Sequence, residues 1–166
     1  MQRILTLVRH AKSSWNNSDL NDFERPLNSR GLKNAPEMGK RLADVDFKVD
    51  LIISSPAARA ITTAELISSE LGYNFKRINH NESIYEANLN TLLHLVSSLN
   101  DNIHRVLMVG HNPGLTSLCN YLSNAKIENM PTCSITQIQF SVNSWQSINE
   151  HSGELLDYDY PKKLKM

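Results

Sequence analysis

The sequence predicts an α/β protein, a three-layer α/β/α sandwich whose central sheet is mostly parallel with an antiparallel edge. Three short apolar runs, at 4–8, 51–54 and 106–110, show little alternation. Such runs are typical of strands buried on both faces of a parallel sheet. Helical periodicity falls between and after them, and strands that alternate with helices favour this architecture. Beyond residue 130, "TCSITQIQF" and "SWQSIN" alternate, which indicates antiparallel strands at the sheet edge.

Helix boundaries follow from capping residues. After the second apolar run, Ser55 is the expected N-cap, Pro56 the first helical residue and Gly72 the stop. Asn90 is the expected cap of a helix in "NTLLHLVSSLN". Asn112 is the expected cap of a helix that follows the third apolar run, with the next residue, a proline, first in that helix.

Other segments are less regular. The segment 29–43 has an apolar stripe that begins at Leu32, but Pro36 lies inside it, which predicts a kink or a late start. Residues 74–79 have an edge-strand pattern. The end of the chain, "YDYPKKLKM", contains a proline and three lysines, so we expect a surface tail.

Length and charge limit the classes of function. A chain of 166 residues suits a single domain over 1–166, with 17 basic and 17 acidic residues. This balance leaves no net field to attract nucleic acid or an acidic membrane. Two cysteines make no disulfide framework, and no apolar run is long enough for a signal peptide or membrane span. We therefore expect a cytoplasmic protein.

Functional side chains follow the three buried strands. The first strand ends at Arg9 and His10, the second leads to Arg59 in the first turn of its helix, and the third leads to His111. Ligands of open α/β sheets bind outside the carboxyl ends of the strands. If the strands are neighbours, two arginines and two histidines converge, and the capped helix after the third strand favours an anion.

Phosphate is the expected ligand because guanidinium groups match its oxygens in bidentate fashion. A metal site is the rival interpretation, since both histidines could be ligands. Two arginines would oppose a divalent cation, so metal is the weaker interpretation. At such a site one neutral histidine can attack phosphorus and form a phosphohistidine, while the arginines and the second histidine stabilise the phosphoryl oxygens.

These motifs resemble the histidine phosphatase superfamily, the phosphoglycerate-mutase-like fold. "RHAKSSWN" is similar to its Arg-His-Gly signature, "SSPAARAITTA" to its Ser-x-x-x-Arg-x-x-x-Thr-Ala motif, and "VGHNPG" to its third motif. "ERPLNSRG" between the first two is similar to the compact branch of SixA-type phosphohistidine phosphatases. The resemblance implies that His10 is the nucleophile, that Arg9, Arg59 and His111 form the phosphate pocket, and that no cofactor or metal is needed.

The resemblance implies further site residues. Ser13 and Asn16 match positions that contact substrate phosphate in the mutase-like branch. Arg25 matches an arginine of the SixA-type branch and could line the pocket rim. Its alternative role is a surface ion pair with Glu24 or Asp22.

Two departures from the family pattern affect the mechanism. Ala11 stands where the family usually has Gly, which tolerates close approach of the backbone. The general acid of larger members is a Glu after the second helix. Glu82 is the preferred match and Glu86 the other, and both could equally be solvated loop carboxylates.

The substrate depends on that acid. A phosphorus–nitrogen bond cleaves readily once the leaving imidazole is protonated, whereas a phosphate monoester needs an acid for its alkoxide. The short chain leaves little room for a cap over the pocket, which suits phosphohistidine on a protein surface. A phosphohistidine protein phosphatase is therefore expected. Hydrolysis of a small phosphate ester is the alternative, followed by a phosphate-binding module without turnover.

Overall fold

The computed structural model describes residues 2–163, and in this range six strands and four helices form a mixed α/β fold. Four short 3-10 turns lie in the connections. The strands are β1 (Arg3–Arg9), β2 (Leu51–Ser54), β3 (Asn79–His80), β4 (Arg105–Gly110), β5 (Ile135–Phe140) and β6 (Gly153–Asp159). The helices are α1 (Ser29–Asp44), α2 (Ala58–Leu71), α3 (Leu89–Ser97) and α4 (Gly114–Leu122).

The six strands form one sheet in the order β3-β2-β4-β1-β5-β6. The first four of these strands run parallel to one another, whereas β5 is antiparallel to β1 and β6 is antiparallel to β5. The expected parallel centre and antiparallel edge are confirmed. The three strands predicted from apolar runs are direct neighbours, with β4 between β1 and β2.

Two hydrophobic cores cover the two faces of the sheet, which makes the fold three-layered. One core joins side chains such as Leu5 and Met108 of the sheet to α3 and α4. The other core joins Val8 and Leu107, which point to the opposite face of the sheet, to α1 and α2. Successive residues of a strand point to opposite faces, so the central positions of β1 and β4 between the two helical layers are apolar, apart from the buried Thr6 of β1.

The predicted C-terminal end of α2 is confirmed, whereas the predicted first residues or caps of α2 and α3 are displaced. Gly72 ends α2 in the left-handed conformation at φ 71°, as expected. Helix α2 begins at Ala58 instead of Pro56, because the Ser55 hydroxyl accepts from the Ala57 N–H in a turn that precedes the helix. The cap of α3 is Asn88, whose side chain accepts from the Thr91 N–H, so the assignment to Asn90 was wrong by two residues.

Helix α1 runs through Pro36 without interruption, so the expected late start is wrong. Asn28 caps the helix and its side chain accepts from the Gly31 N–H. Leu32, assigned to the apolar stripe, is 52% exposed, whereas Ala35 and Met38 are fully buried against the sheet.

The C-terminal region differs most from expectation. "SWQSIN" forms no strand: it contains a 3-10 turn at Trp145–Ser147, whose tryptophan is fully buried and whose indole N–H donates to the Ile103 carbonyl. The second antiparallel strand is β6, which takes in Tyr158 and Asp159 of the expected tail. Residues 164–166 of that segment lie outside the described part.

The remaining expected edge strand is short. Residues 75–77 form a 3-10 turn, and β3 is the two-residue strand that follows it. No helix within residues 2–163 is both long and apolar enough to cross a membrane.

Candidate active site

Strand pairing brings the predicted site residues together. Arg9 at the end of β1 is paired with Gly110 at the end of β4, and the His10 N–H donates to the Gly110 carbonyl (3.1 Å). On the other side of β4, the Ser55 N–H donates to the Val109 carbonyl (3.0 Å). The carboxyl ends of β1, β4 and β2 therefore meet, as the sequence predicted.

His10 is held in a single tautomer. Its Nδ1 lies 2.8 Å from the Ala11 carbonyl oxygen, which can only accept, so Nδ1 carries the hydrogen. Nε2 is then left with its lone pair. His10 is 7% exposed, and burial lowers the pKa of its imidazole to about 3, assisted by electrostatic interaction with His111, Arg59 and Arg9. His10 is thus neutral near pH 7 and can act as a nucleophile.

Thr63 positions the turn that follows His10. Its buried hydroxyl accepts from the Ala11 N–H (2.9 Å) and donates to the Arg59 carbonyl (2.7 Å). One side chain of α2 therefore joins the nucleophile's turn to the helix that carries a predicted phosphate ligand. The Thr-Ala pair of the second motif was its only signal in the sequence.

His111 is the second imidazole of the site. The His10 and His111 ring centroids are 5.1 Å apart. His111 Nε2 lies 2.8 Å from the Ser55 hydroxyl, which corrects the role of Ser55 from helix cap to histidine partner. The Ser55 hydroxyl accepts from a backbone N–H, and when it donates its own hydrogen to Nε2 the imidazole hydrogen of His111 lies on Nδ1. Burial, with Arg59 nearby, lowers the pKa of His111 to about 4.

Three buried polar atoms of the site lack a hydrogen-bond partner among the described residues: Arg9 Nε, Arg59 Nε and His111 Nδ1. Buried donors are normally paired, so unpaired ones indicate a place for an acceptor. Arg9 is oriented through its terminal nitrogen, which donates to the Met130 carbonyl (2.8 Å). The fold therefore supplies two guanidinium groups and an imidazole for an anion beside His10.

Asp22 is a site residue that the sequence considered only as an ion-pair partner of Arg25. Its Oδ2 accepts from Arg59 (3.0 Å) and from the Tyr85 hydroxyl (2.6 Å), and its backbone carbonyl accepts from Arg59 as well (2.6 Å). The bond from Tyr85, followed by that from Arg59, lowers the pKa of Asp22 to about 2. The same bond raises the pKa of Tyr85 to about 12.

Arg25 is 8% exposed and forms the ion pair with Asp22 (3.1 Å) that was its alternative role. It also donates to the Ser13 hydroxyl (2.7 Å) and stacks on Trp15, with 3.4 Å from its guanidinium carbon to the ring centroid. Arg25 is therefore joined to the anion pocket through Asp22. Asn16 lies on the exposed loop beyond, where its backbone N–H donates to Ser14.

Among the described residues neither candidate general acid has a side-chain hydrogen bond to another site residue, although the Glu82 backbone carbonyl accepts from the Tyr85 N–H (3.1 Å). Glu82 is exposed in the 3-10 turn Glu82–Ile84. Glu86 is exposed as well, with φ 57°. Between them Tyr85 points to the site, with its ring edge-on to His111 at 5.6 Å between centroids. Its role had no signal in the sequence, because the contact joins segments 63 residues apart.

Within residues 2–163 no cluster of three or more His, Cys, Asp or Glu side chains could hold a metal ion. A metal on His10 and His111 would thus lack a third protein ligand among those side chains. The geometry is that of an α/β protein with two arginines and two histidines gathered at the carboxyl ends of its parallel strands, where ligands of such sheets bind.

Comparison with known proteins identifies the family. Residues 5–98, more than half of the sequence, match the model of the histidine phosphatase superfamily (branch 1). The chain belongs to the histidine phosphatase superfamily. An uncharacterised chloroplastic protein of Arabidopsis thaliana is similar, with 29% identity over 161 residues that cover 92% of this chain and 73% of that protein.

Solved structures share the fold. SixA from Agrobacterium tumefaciens, described as a candidate phosphohistidine phosphatase, has a TM-score of 0.80 and 26% identity, covering 96% of this chain and 98% of that chain. The protein histidine phosphatase SixA, solved with tungstate, has a TM-score of 0.81 and 20% identity, covering 97% of each chain. The family and these neighbours support phosphatase activity.

Proposed function

We propose that this protein is a metal-independent phosphatase that acts through a phosphohistidine at His10 and removes phosphate from phosphohistidine in a protein substrate. The observation that carries the proposal is the state of His10. Its Nδ1 is committed to the Ala11 carbonyl and its low pKa keeps the ring neutral, so Nε2 has a free lone pair. The unpaired buried nitrogens of Arg9, Arg59 and His111 support binding of the phosphoryl oxygens.

The reaction has two steps. His10 Nε2 forms a bond to phosphorus while the bond from phosphorus to the substrate nitrogen breaks, and its electron pair stays with that nitrogen. Water then attacks phosphorus, the bond to Nε2 breaks, and inorganic phosphate is released. In both steps the negative charge spreads over the three phosphoryl oxygens, where guanidinium groups stabilise it most strongly.

The preference for a phosphorus–nitrogen bond rests on the surroundings of the pocket. The Glu82 side chain is exposed and has no hydrogen bond to the site among the described residues. Asp22 is bonded to Arg59, and its pKa of about 2 keeps it ionised. The described residues thus offer no protonated carboxyl in contact with the site, and an alkoxide leaving group needs such an acid more than a protonated imidazole does.

The test compares a phosphohistidine protein with an aryl phosphate as substrates, in the presence of excess chelator. Wild type, His10→Ala and His104→Ala are assayed together, since His104 lies just before β4, at the opposite end of that strand. We expect faster turnover of the phosphohistidine protein, acid-labile phosphate on wild type, and loss of both only in His10→Ala.

Other results would contradict the proposal. Activity that chelator abolishes would indicate a metal enzyme. Faster turnover of the aryl phosphate would favour a small phosphate ester as substrate. Phosphate binding without turnover of either compound would indicate a binding module.

A further inference from the structure

The Tyr85 hydroxyl is oriented by a charged partner. It donates to Asp22 Oδ2 at 2.6 Å, and Asp22 is anchored in turn by Arg59 (3.0 Å) and Arg25 (3.1 Å). The carboxylate accepts two bonds at each oxygen, two from Arg25 at Oδ1 and one each from Arg59 and Tyr85 at Oδ2. A hydroxyl has one hydrogen and two lone pairs. With its hydrogen held by Asp22, the Tyr85 oxygen can only accept a hydrogen bond from a bound substrate.

The position of Tyr85 relative to a departing group follows from the geometry of the reaction and from the exposure of its partner Asp22. In an in-line displacement the leaving atom is opposite the attacking Nε2 of His10, and therefore toward the pocket mouth. The two terminal nitrogens of Arg59 donate to residue 22, and its buried Nε has no partner among the described residues. The Asp22 side chain is 48% exposed, so this end of Arg59 is at the mouth. The Tyr85 ring also contacts His111 edge-on, at 5.6 Å between centroids.

A hydroxyl that can only accept at this position distinguishes leaving groups by whether they carry a hydrogen-bond donor. A protonated imidazole has an N–H that the Tyr85 oxygen can accept. An alkoxide or phenolate has no such hydrogen and needs a donor, which Tyr85 cannot provide while its hydrogen is on Asp22. The Asp22 charge behind the phenol strengthens its acceptor character, because hydrogen bonds in a chain polarise one another.

We propose that Tyr85, oriented by Asp22, accepts the N–H of the leaving group and thereby selects phosphoryl donors with a protonated nitrogen over phosphate esters. This inference rests on the proposed function and names the side chain that recognises the leaving group of the substrate. The N–H bond stays intact throughout: the phosphorus–nitrogen bond breaks, its electron pair returns to the ring, and neutral imidazole departs. Tyr85 is the contact residue and Asp22 its positioning residue.

The test is the Tyr85→Phe variant, which keeps the ring and its packing on Phe23 and His111. Tyr121→Phe is the matched control, since it removes the same hydroxyl from α4, outside the site. Three substrates are compared by kcat/KM: a phosphohistidine protein, phosphoramidate, and p-nitrophenyl phosphate. Phosphoramidate has a protonated nitrogen and no protein part.

Hydrogen bonds to charged groups have a strength that corresponds to about a ten- to hundredfold change in rate. We expect Tyr85→Phe to lower kcat/KM on both phosphorus–nitrogen substrates by about that factor more than on p-nitrophenyl phosphate. Asp22→Asn should also lower the ratio of kcat/KM on the phosphorus–nitrogen substrates to kcat/KM on p-nitrophenyl phosphate. Tyr121→Phe should not change this ratio. Equal losses on all three substrates, or no loss in Tyr85→Phe, would overturn the inference.

The substrates also separate the two proposals. Wild-type activity on phosphoramidate but not on the phosphoprotein would refute the protein substrate, and the selectivity of Tyr85 would still be measured on phosphoramidate. Activity on the phosphoprotein with an unchanged ratio in Tyr85→Phe would refute only the role of Tyr85. Activity confined to p-nitrophenyl phosphate would refute both.

Discussion

Thr63→Val should destabilise the protein because it leaves the buried Ala11 N–H without a hydrogen-bond acceptor. Thr63 is fully buried and accepts from the Ala11 N–H at 2.9 Å. Valine has nearly the same shape but no acceptor, so the Ala11 N–H would remain buried without a partner. The Arg59 carbonyl, which also contacts the hydroxyl, still has its helical donor inside α2. The cost is therefore that of one unsatisfied buried donor, about 1–3 kcal/mol.

Urea denaturation measures this change, and Thr62→Val is the matched control. Thr62 is the preceding residue of the same helix, is half-buried, and its side chain has no hydrogen bond to any residue within 2–163. Its replacement should stay within about 0.5 kcal/mol of wild type. In thermal unfolding each kcal/mol corresponds to about 2–4 °C for a chain of this length. A Thr63→Val variant as stable as Thr62→Val would show that the hydroxyl does not satisfy the Ala11 N–H.

Three further predictions concern pH and packing. Burial lowers the pKa of His10 from 6.5 to about 3, so in that interval the unfolded chain binds a proton that the folded chain does not. The free energy of unfolding should therefore fall as pH drops through this interval. The urea midpoint of His10→Gln should fall less between about pH 7 and 4 than that of wild type. An equal fall in both proteins would contradict the lowered pKa of His10. Gly31→Ala places a Cβ 2.2 Å from the Lys12 carbonyl oxygen, so it should cost about 1–3 kcal/mol in urea, although Ala normally favours a helix by about 1 kcal/mol. Arg41→Met removes bonds to the Tyr160 and Pro161 carbonyls and to Asp159; hydrogen exchange over 158–163 should quicken, and unchanged protection would show that other contacts hold this segment.

Much of the fold could be predicted because its signals are local. The strands that deliver Arg9 and His111 are buried on both faces, so their apolar runs are visible without knowledge of any partner. Strand β6 was missed because its edge position exposes residues such as Leu156, 46% exposed, and weakens the apolar pattern. Trp145 was assigned to a strand, yet it is buried by a 3-10 turn whose signal is capping by Ser144.

The site residues also fall into those that local sequence patterns predicted and those that only the tertiary structure placed. Arg9, His10, Arg59 and His111 follow strand ends, and the order of β1, β4 and β2 brings them together. The state of each group depends on contacts that no local pattern contains. The Ser55 hydroxyl holds His111 from 56 residues away, and Asp22 joins Arg59 and Tyr85 across 37 and 63 residues.

The sequence by itself determined the chemical inventory: a parallel α/β sheet, two arginines and two histidines at its strand ends, and the family to which they belong. Only the tertiary structure decided which nitrogen of His10 is free, which donors remain unpaired, and that Asp22 and Tyr85 adjoin the pocket. The physical reason is range. Periodicity and capping act within a few residues, whereas tautomers, pKa values and unpaired donors depend on burial and on partners that only the folded chain brings within hydrogen-bonding distance.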